Sequence, residues 1–268
     1  MDCSFSETQF VFAILHELLD KKWSTKRGWL PPKFPTQRQE RDLGYDVSIQ
    51  GPVRALFFQF KVPEKKTTRI SKYWEEYNTP YYVFKIWPDN LTHQHNNLIQ
   101  LANAPGHNKV YYCAPAFITD EEFDKYYKNG TIANNSIFVP CEHLPEIEGA
   151  DKHCITYTVL PRREYHMRSD AEFIVGLDYQ GFSNDVNETK GYKDVWECFK
   201  STIGIMKEIE IGENHNDILQ TIEVMEASDN YEGARQIYDT ISDSLMMKAN
   251  TCFVILGDDK HDDTSSEK

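Results

Sequence analysis

Residues Glu40 to Val62, ERDLGYDVSIQGPVRALFFQFKV, decide how this chain folds. Tyr45 to Ile49 alternates polar and apolar residues, which is typical of a strand that is buried on one face. Gln50-Gly51-Pro52 predicts a turn. Ala55 to Val62 predicts a second strand, with Leu56, Phe58, Phe60 and Val62 on one face and Phe57, Gln59 and Lys61 on the other.

The two predicted strands bring three polar side chains together if they pair as a hairpin. With an even number of loop residues, Asp46 lies opposite Phe57 or Gln59 and shares a face with Gln59 and Lys61. A three-residue loop would shift the register by one residue and separate them. A carboxylate, an amide oxygen and an ammonium group suit metal-dependent hydrolysis of a phosphodiester. The oxygens hold a hard cation, while the ammonium orients water and offsets developing negative charge.

This pattern resembles the PD-(D/E)XK nuclease superfamily. In that family an Asp begins one strand of a hairpin and (Glu or Gln)-x-Lys lies in the next, usually after a helix that carries a Glu. Asp46 matches the first element, and Gln59-Phe60-Lys61 matches the second in its Gln-x-Lys form. The chain has Gln in place of the commoner Glu and no Pro directly before Asp46. The alternative is therefore a noncatalytic nuclease-fold subunit that acts as an interaction or sensor module.

The resemblance implies an endonuclease that cuts DNA with Mg²⁺ or Mn²⁺, as an effector of a prokaryotic defence system. Asp46, Gln59 and the carbonyl of Phe60 would bind the metal, and Lys61 would position the attacking water. An additional carboxylate would come from Glu7 or Glu40. The implied fold is α/β, a restriction-endonuclease-like mixed sheet flanked by helices.

A first helix to about Lys22 carries the candidate Glu7. Ser6-x-x-Gln9 and Ser4-x-x-Glu7 both have the form of a capping box, and Val11, Ile14, Leu15 and Leu18 form an apolar stripe. Continued backward, that stripe reaches Glu7, while Glu17 is a rival at helical spacing. Glu7 could instead only favour the helix N-terminus electrostatically. Glu40 could supply the carboxylate, or pair with a neighbouring Arg.

The remaining patterns predict the order helix, hairpin, strand, helix, strand, which is that of the nuclease core. The predicted elements are strands at Tyr81 to Trp87 and Lys109 to Phe117 and a helix at His95 to Ala104. A right-handed crossover would place both strands beside the hairpin. We predict a nuclease-like domain over 1–160, a mostly helical accessory or oligomerisation region over 161–256, and a disordered acidic tail over 257–268. In the accessory region Tyr179 to Gly191 predicts a loop, followed by helices at about 192–210, 215–228 and 231–247.

Charge is unevenly distributed along the chain. The formal net charge is −13, whereas residues 1–80 hold 13 Lys and Arg and 10 Asp and Glu, a net of +3 that leaves −16 for the rest. Affinity for nucleic acid comes largely from cations, so we expect DNA binding to need a homo-oligomer or a protein partner. The basic run Glu64 to Lys72, followed by Tyr73 and Trp74, is either a solvated loop or a surface that faces phosphates and stacks a base.

Composition also predicts the compartment. No window of about 18 apolar residues is present, so we expect no membrane span. The first residues lack a basic and then apolar leader, and six cysteines are scattered without framework spacing. We therefore expect a cytoplasmic protein with reduced thiols. Zinc is a minor alternative, on the ligands Cys141, His143, His153 and Cys154.

Overall fold

The structure is a computed structural model and describes residues 1–21, 53–87, 93–149, 152–159, 164–168, 172–228, 233–249 and 251–257. The strands are β1 (Val53–Phe60), β2 (Glu64–Lys66), β3 (Tyr81–Ile86), β4 (Asn108–Pro115), β5 (Ser136–Pro140), β6 (His153–Tyr157), β7 (Tyr165–Met167), β8 (Glu172–Phe173) and β9 (Cys252–Gly257). The helices are α1 (Glu7–Lys21), α2 (Trp74–Tyr77), α3 (Gln94–Asn103), α4 (Asp120–Asn129), α5 (Tyr179–Glu188), α6 (Val195–Glu208), α7 (His215–Ala227) and α8 (Ala234–Ala249).

The first sheet is mixed, with the strand order β5-β4-β1-β9. β1 runs parallel to β4, from Ala55 beside Asn108 to Phe60 beside Cys113, and antiparallel to β9. Seven of the eight residues of β1 are buried, as expected for an apolar strand covered on both faces.

The second sheet is antiparallel, with the order β2-β3-β6-β7-β8. The prediction that Tyr81 to Trp87 extends the sheet beside the hairpin is wrong, because β3 pairs with β2 and β6. The connection from β1 to its parallel neighbour β4 therefore passes through the second sheet.

The two faces of β1 belong to two different cores. Leu56, Phe58 and Phe60 pack with α1 and α5. Ala55 and Phe57 pack with the inner face of the second sheet and with α6 and α8. These clusters confirm the predicted division for the apolar residues, with Leu56, Phe58 and Phe60 on one face and Phe57 on the other.

The predicted class is confirmed: the described chain is mixed α/β, and its C-terminal part is mostly helical. Of the two predicted capping boxes of α1, that of Ser6 and Gln9 is observed, since Ser6 N donates to Gln9 Oε1 at 2.9 Å and Gln9 N donates to Ser6 Oγ at 3.1 Å. The loop prediction for Tyr179 to Gly191 is wrong, because α5 lies there. None of the described helices is long and apolar enough to cross a membrane.

Candidate active site

Lys61 lies directly after β1, at the carboxyl end of the central strand. Its backbone N–H donates to the carbonyl of Cys113 at 2.9 Å, which continues the ladder with β4. The side chain is partly buried, and burial lowers the pKa of its ammonium group, while the Glu7 carboxylate partly offsets this shift. Ligands of open α/β sheets bind beyond the carboxyl ends of the strands, and Lys61 occupies such a position.

Glu7 is the first residue of α1 and lies close enough to Lys61 for the two charges to interact. Burial raises the pKa of the Glu7 carboxyl, and the Lys61 ammonium partly lowers it again. The structure therefore places two of the predicted site residues within range of an electrostatic interaction, without an ion pair closer than 4.0 Å between them. Their opposite charges share a partly dehydrated environment, in which electrostatic interactions are stronger than in water.

Gln59 is on the other side of the sheet. It shares the face of Phe57, and its neighbour on β4 is Tyr112, whereas α1 packs on the face of Phe58 and Phe60. Only 1% of Gln59 is exposed, and its Oε1 has no hydrogen-bond partner among the described residues. Gln59 was predicted to converge with Asp46 and Lys61; Asp46 lies outside the described residues, and Gln59 faces away from the helix that carries Glu7.

The predicted hairpin pairing is wrong. Asp46 was expected opposite Phe57 or Gln59, and both registers require a free edge of β1 at Phe57. That residue pairs with Val110 of β4 on one side and with Phe253 of β9 on the other, and a strand has only two edges. Asp46 itself lies outside the described residues, and so does Glu40.

Glu17, the rival of Glu7, has a different environment. It is 5% exposed, and its Oε2 accepts a hydrogen bond of 2.6 Å from the backbone N–H of Ile132. This contact ties α1 to the turn before β5. A carboxylate that accepts a hydrogen bond from a buried N–H has a structural function. Glu17 also lies in the C-terminal half of α1, whereas Glu7 begins the helix.

The donor set for a metal is small in the described part of the chain. Within those ranges no group of three or more His, Cys, Asp and Glu side chains could hold a metal ion, which also leaves the zinc alternative without support. The Glu7 carboxylate is chemically suited to a hard cation. Phe60 is 5% exposed and its ring packs between Phe58 and Phe10, so only its carbonyl could serve as a ligand.

We predict that Gln59→Met raises the free energy of unfolding by about 1–2 kcal/mol, because a buried oxygen without a partner is replaced by an apolar group of similar length. Urea denaturation measures the effect. Gln236→Met, on the exposed face of α8, is the matched control and should change little. A loss of stability would mean that the Gln59 amide makes a native hydrogen bond.

Comparison of the chain with protein-family models, with curated proteins and with solved structures gives no match.

Proposed function

We propose that this protein cleaves phosphodiester bonds of DNA in a reaction that requires Mg²⁺ or Mn²⁺. The observation that supports it is the electrostatic interaction of Glu7, at the start of α1, with Lys61, at the carboxyl end of β1. A helix-borne carboxylate next to the lysine of Gln-x-Lys is the arrangement that the nuclease resemblance implies.

Each residue of the pair has a defined chemical task. Glu7 would hold the cation together with Asp46, and Glu40 is the alternative source of a carboxylate. A divalent cation at such a site polarises phosphate oxygens and makes bound water a better nucleophile. Lys61 would orient the attacking water and stabilise negative charge on the phosphate. Gln59 does not belong to this set, because it faces away from α1.

The chain is acidic overall, with a formal net charge of −13. Tight DNA binding needs cations near the phosphates. We therefore expect cleavage to be strongest in a homo-oligomer or with a protein partner that adds basic surface, as for an effector of a prokaryotic defence system.

The second candidate is a noncatalytic nuclease-fold module that acts as an interaction or sensor subunit. The burial of Gln59 on the face opposite α1 favours it, since a metal ligand must reach the substrate. In this case the Gln-x-Lys sequence is only part of a core strand.

Plasmid nicking distinguishes the two candidates. The purified protein is incubated with supercoiled DNA in Mg²⁺, in Mn²⁺ and in EDTA, alone and with the products of adjacent genes. A nuclease nicks only with metal, and Asp46→Asn removes the nicking if Asp46 is a ligand. Protein that never cuts under these conditions is the noncatalytic module.

A further inference from the structure

The outer face of the second sheet carries a cavity of about 630 Å³. β2, β3 and β6 form its floor, and the segment before α2 forms one wall. Cavities of roughly 300–1,000 Å³ are typical of small-molecule and cofactor sites. Neither Glu7 nor Lys61 lines this cavity.

The lining of this cavity is strongly basic. It contains four lysines, Lys66, Lys72, Lys85 and Lys152, and one carboxylate, that of Glu64. Glu64 accepts from Lys66 at 2.5 Å and is 3.3 Å from Lys85, so its charge is already compensated. Since the whole chain carries −13, this local excess of cations indicates an anionic ligand.

Aromatic side chains lie beside the lysines. Tyr73, Tyr81 and Trp87 line the cavity; Trp87 is 56% exposed, whereas Tyr81 is 1% exposed and only forms part of the floor. A large aromatic surface that stays exposed next to cations can stack a flat ring.

The wall behind Tyr73 is held in place by a buried arginine. The Arg168 guanidinium lies 4.2 Å from the centre of the Tyr73 ring, and Arg168 is 5% exposed. It donates to Thr156 Oγ1 at 2.9 Å, to Glu76 Oε2 at 2.7 Å and to Tyr77 Oη at 3.1 Å. Because a ring held by such contacts need not be ordered on binding, this wall is preorganised for a ligand.

Two further lining residues limit the chemistry. Burial raises the pKa of the Cys154 thiol, which therefore stays protonated near neutral pH and is a poor nucleophile. His153 is 8% exposed, and neither ring nitrogen has a hydrogen-bond partner within the described ranges. His153 pairs with Ile86, which belongs to the core on the inner face of the sheet, so its ring is not part of the surface that a ligand would contact. These features favour binding over covalent catalysis.

We propose that this cavity binds a nucleotide, with its phosphates on the lysines and its base stacked against the aromatic side chains. The nucleotide is either free or part of a single strand, since both present the same base and phosphate groups. The proposal does not depend on the nuclease activity, because it concerns a different sheet and different residues.

Isothermal titration calorimetry at low salt tests the proposal with four probes: ATP, AMP, inorganic triphosphate and an oligothymidylate of eight nucleotides. Lys72→Glu/Lys152→Glu is expected to weaken binding of ATP or the oligonucleotide at least tenfold. Both lysines are exposed, so the fold should persist, as circular dichroism will verify. The control is the double variant Lys125→Glu/Lys128→Glu, which makes the same charge change at two exposed lysines of α4. It should leave the affinity within twofold.

Trp87→Ala separates base stacking from charge attraction. It is expected to weaken the binding of ATP about tenfold, because loss of one base stack costs about 1–3 kcal/mol. The affinity for inorganic triphosphate, which has no base, should stay unchanged. Binding of ATP or AMP supports a free nucleotide, and binding of only the oligonucleotide supports a strand. The proposal is overturned if no probe binds at millimolar concentration, or if the α4 pair weakens binding as much as the cavity pair.

Discussion

Lys61→Met is expected to reduce metal-dependent DNA cleavage by about 10²-fold or more, the size of effect seen when one charge-stabilising donor is removed. The same substitution should leave the fold at least as stable as the wild type. Burial lowers the pKa of Lys61, which means that the folded chain disfavours the charged side chain. An apolar residue of similar length avoids this cost, with an expected gain of about 0.5–2 kcal/mol.

The gain in stability should depend on pH with a defined sign. The folded-state pKa of Lys61 lies below the ordinary value of 10.5, so between these two values the unfolded chain binds more protons. Stability of the wild type therefore rises with pH in this window. The advantage of Lys61→Met is full below the folded-state pKa and shrinks as the pH approaches 10.5.

Single-turnover cleavage and urea unfolding at neutral and alkaline pH measure the two effects on one variant. Lys128→Met is the control, because Lys128 lies on the surface of α4 with 75% of its side chain exposed. Cleavage that persists in Lys61→Met, together with a clear loss of stability, would make Lys61 a structural residue.

Local patterns in the sequence predict much of what surrounds Lys61. Alternation in β1 predicts that Phe58 and Phe60 face one core and Phe57 the other, and both are observed. The backward extension of the α1 stripe predicts that Glu7 points toward the core, and Glu7 interacts with Lys61. These features depend on residues that are near one another in the chain.

Pairing between distant segments is not visible in such patterns. β9 joins the edge of β1 across about 200 residues of chain, and this removes the edge that a local hairpin would use. The cavity on the second sheet also depends on such a pairing. Lys85 and Lys152 line the same cavity only because β3 pairs with β6. Periodicity predicts that a strand exists and which face is apolar, but not which strand lies beside it.

Helix α5 was missed because its composition is unfavourable for a helix. Gly181, Ser183, Asn184 and Asn187 all have low helix propensity. The structure shows what compensates: the Asp178 side chain caps the first turn, and Asp185 accepts from Tyr111 Oη at 2.5 Å. Tertiary contacts of a few residues thus override the local preference.

Phe182 anchors α5 in the core, and we expect Phe182→Ala to cost about 3–5 kcal/mol, as is typical when a buried phenyl ring is removed. Its ring is 1% exposed and stacks on Phe138 at 4.1 Å, with Phe58 at 5.9 Å behind it. Urea denaturation measures the global loss, and hydrogen exchange of the α5 amides shows whether this helix opens first.

Phe173→Ala is the matched control for this prediction, because Phe173 on β8 is 78% exposed and its loss should change stability by no more than about 0.5 kcal/mol. If low propensity makes α5 depend on packing, its amides will exchange fast in Phe182→Ala while β1 and β4 stay protected. A loss below about 1 kcal/mol, or unchanged protection of α5, would mean that the Asp178 cap and the Asp185 contacts hold the helix without the ring.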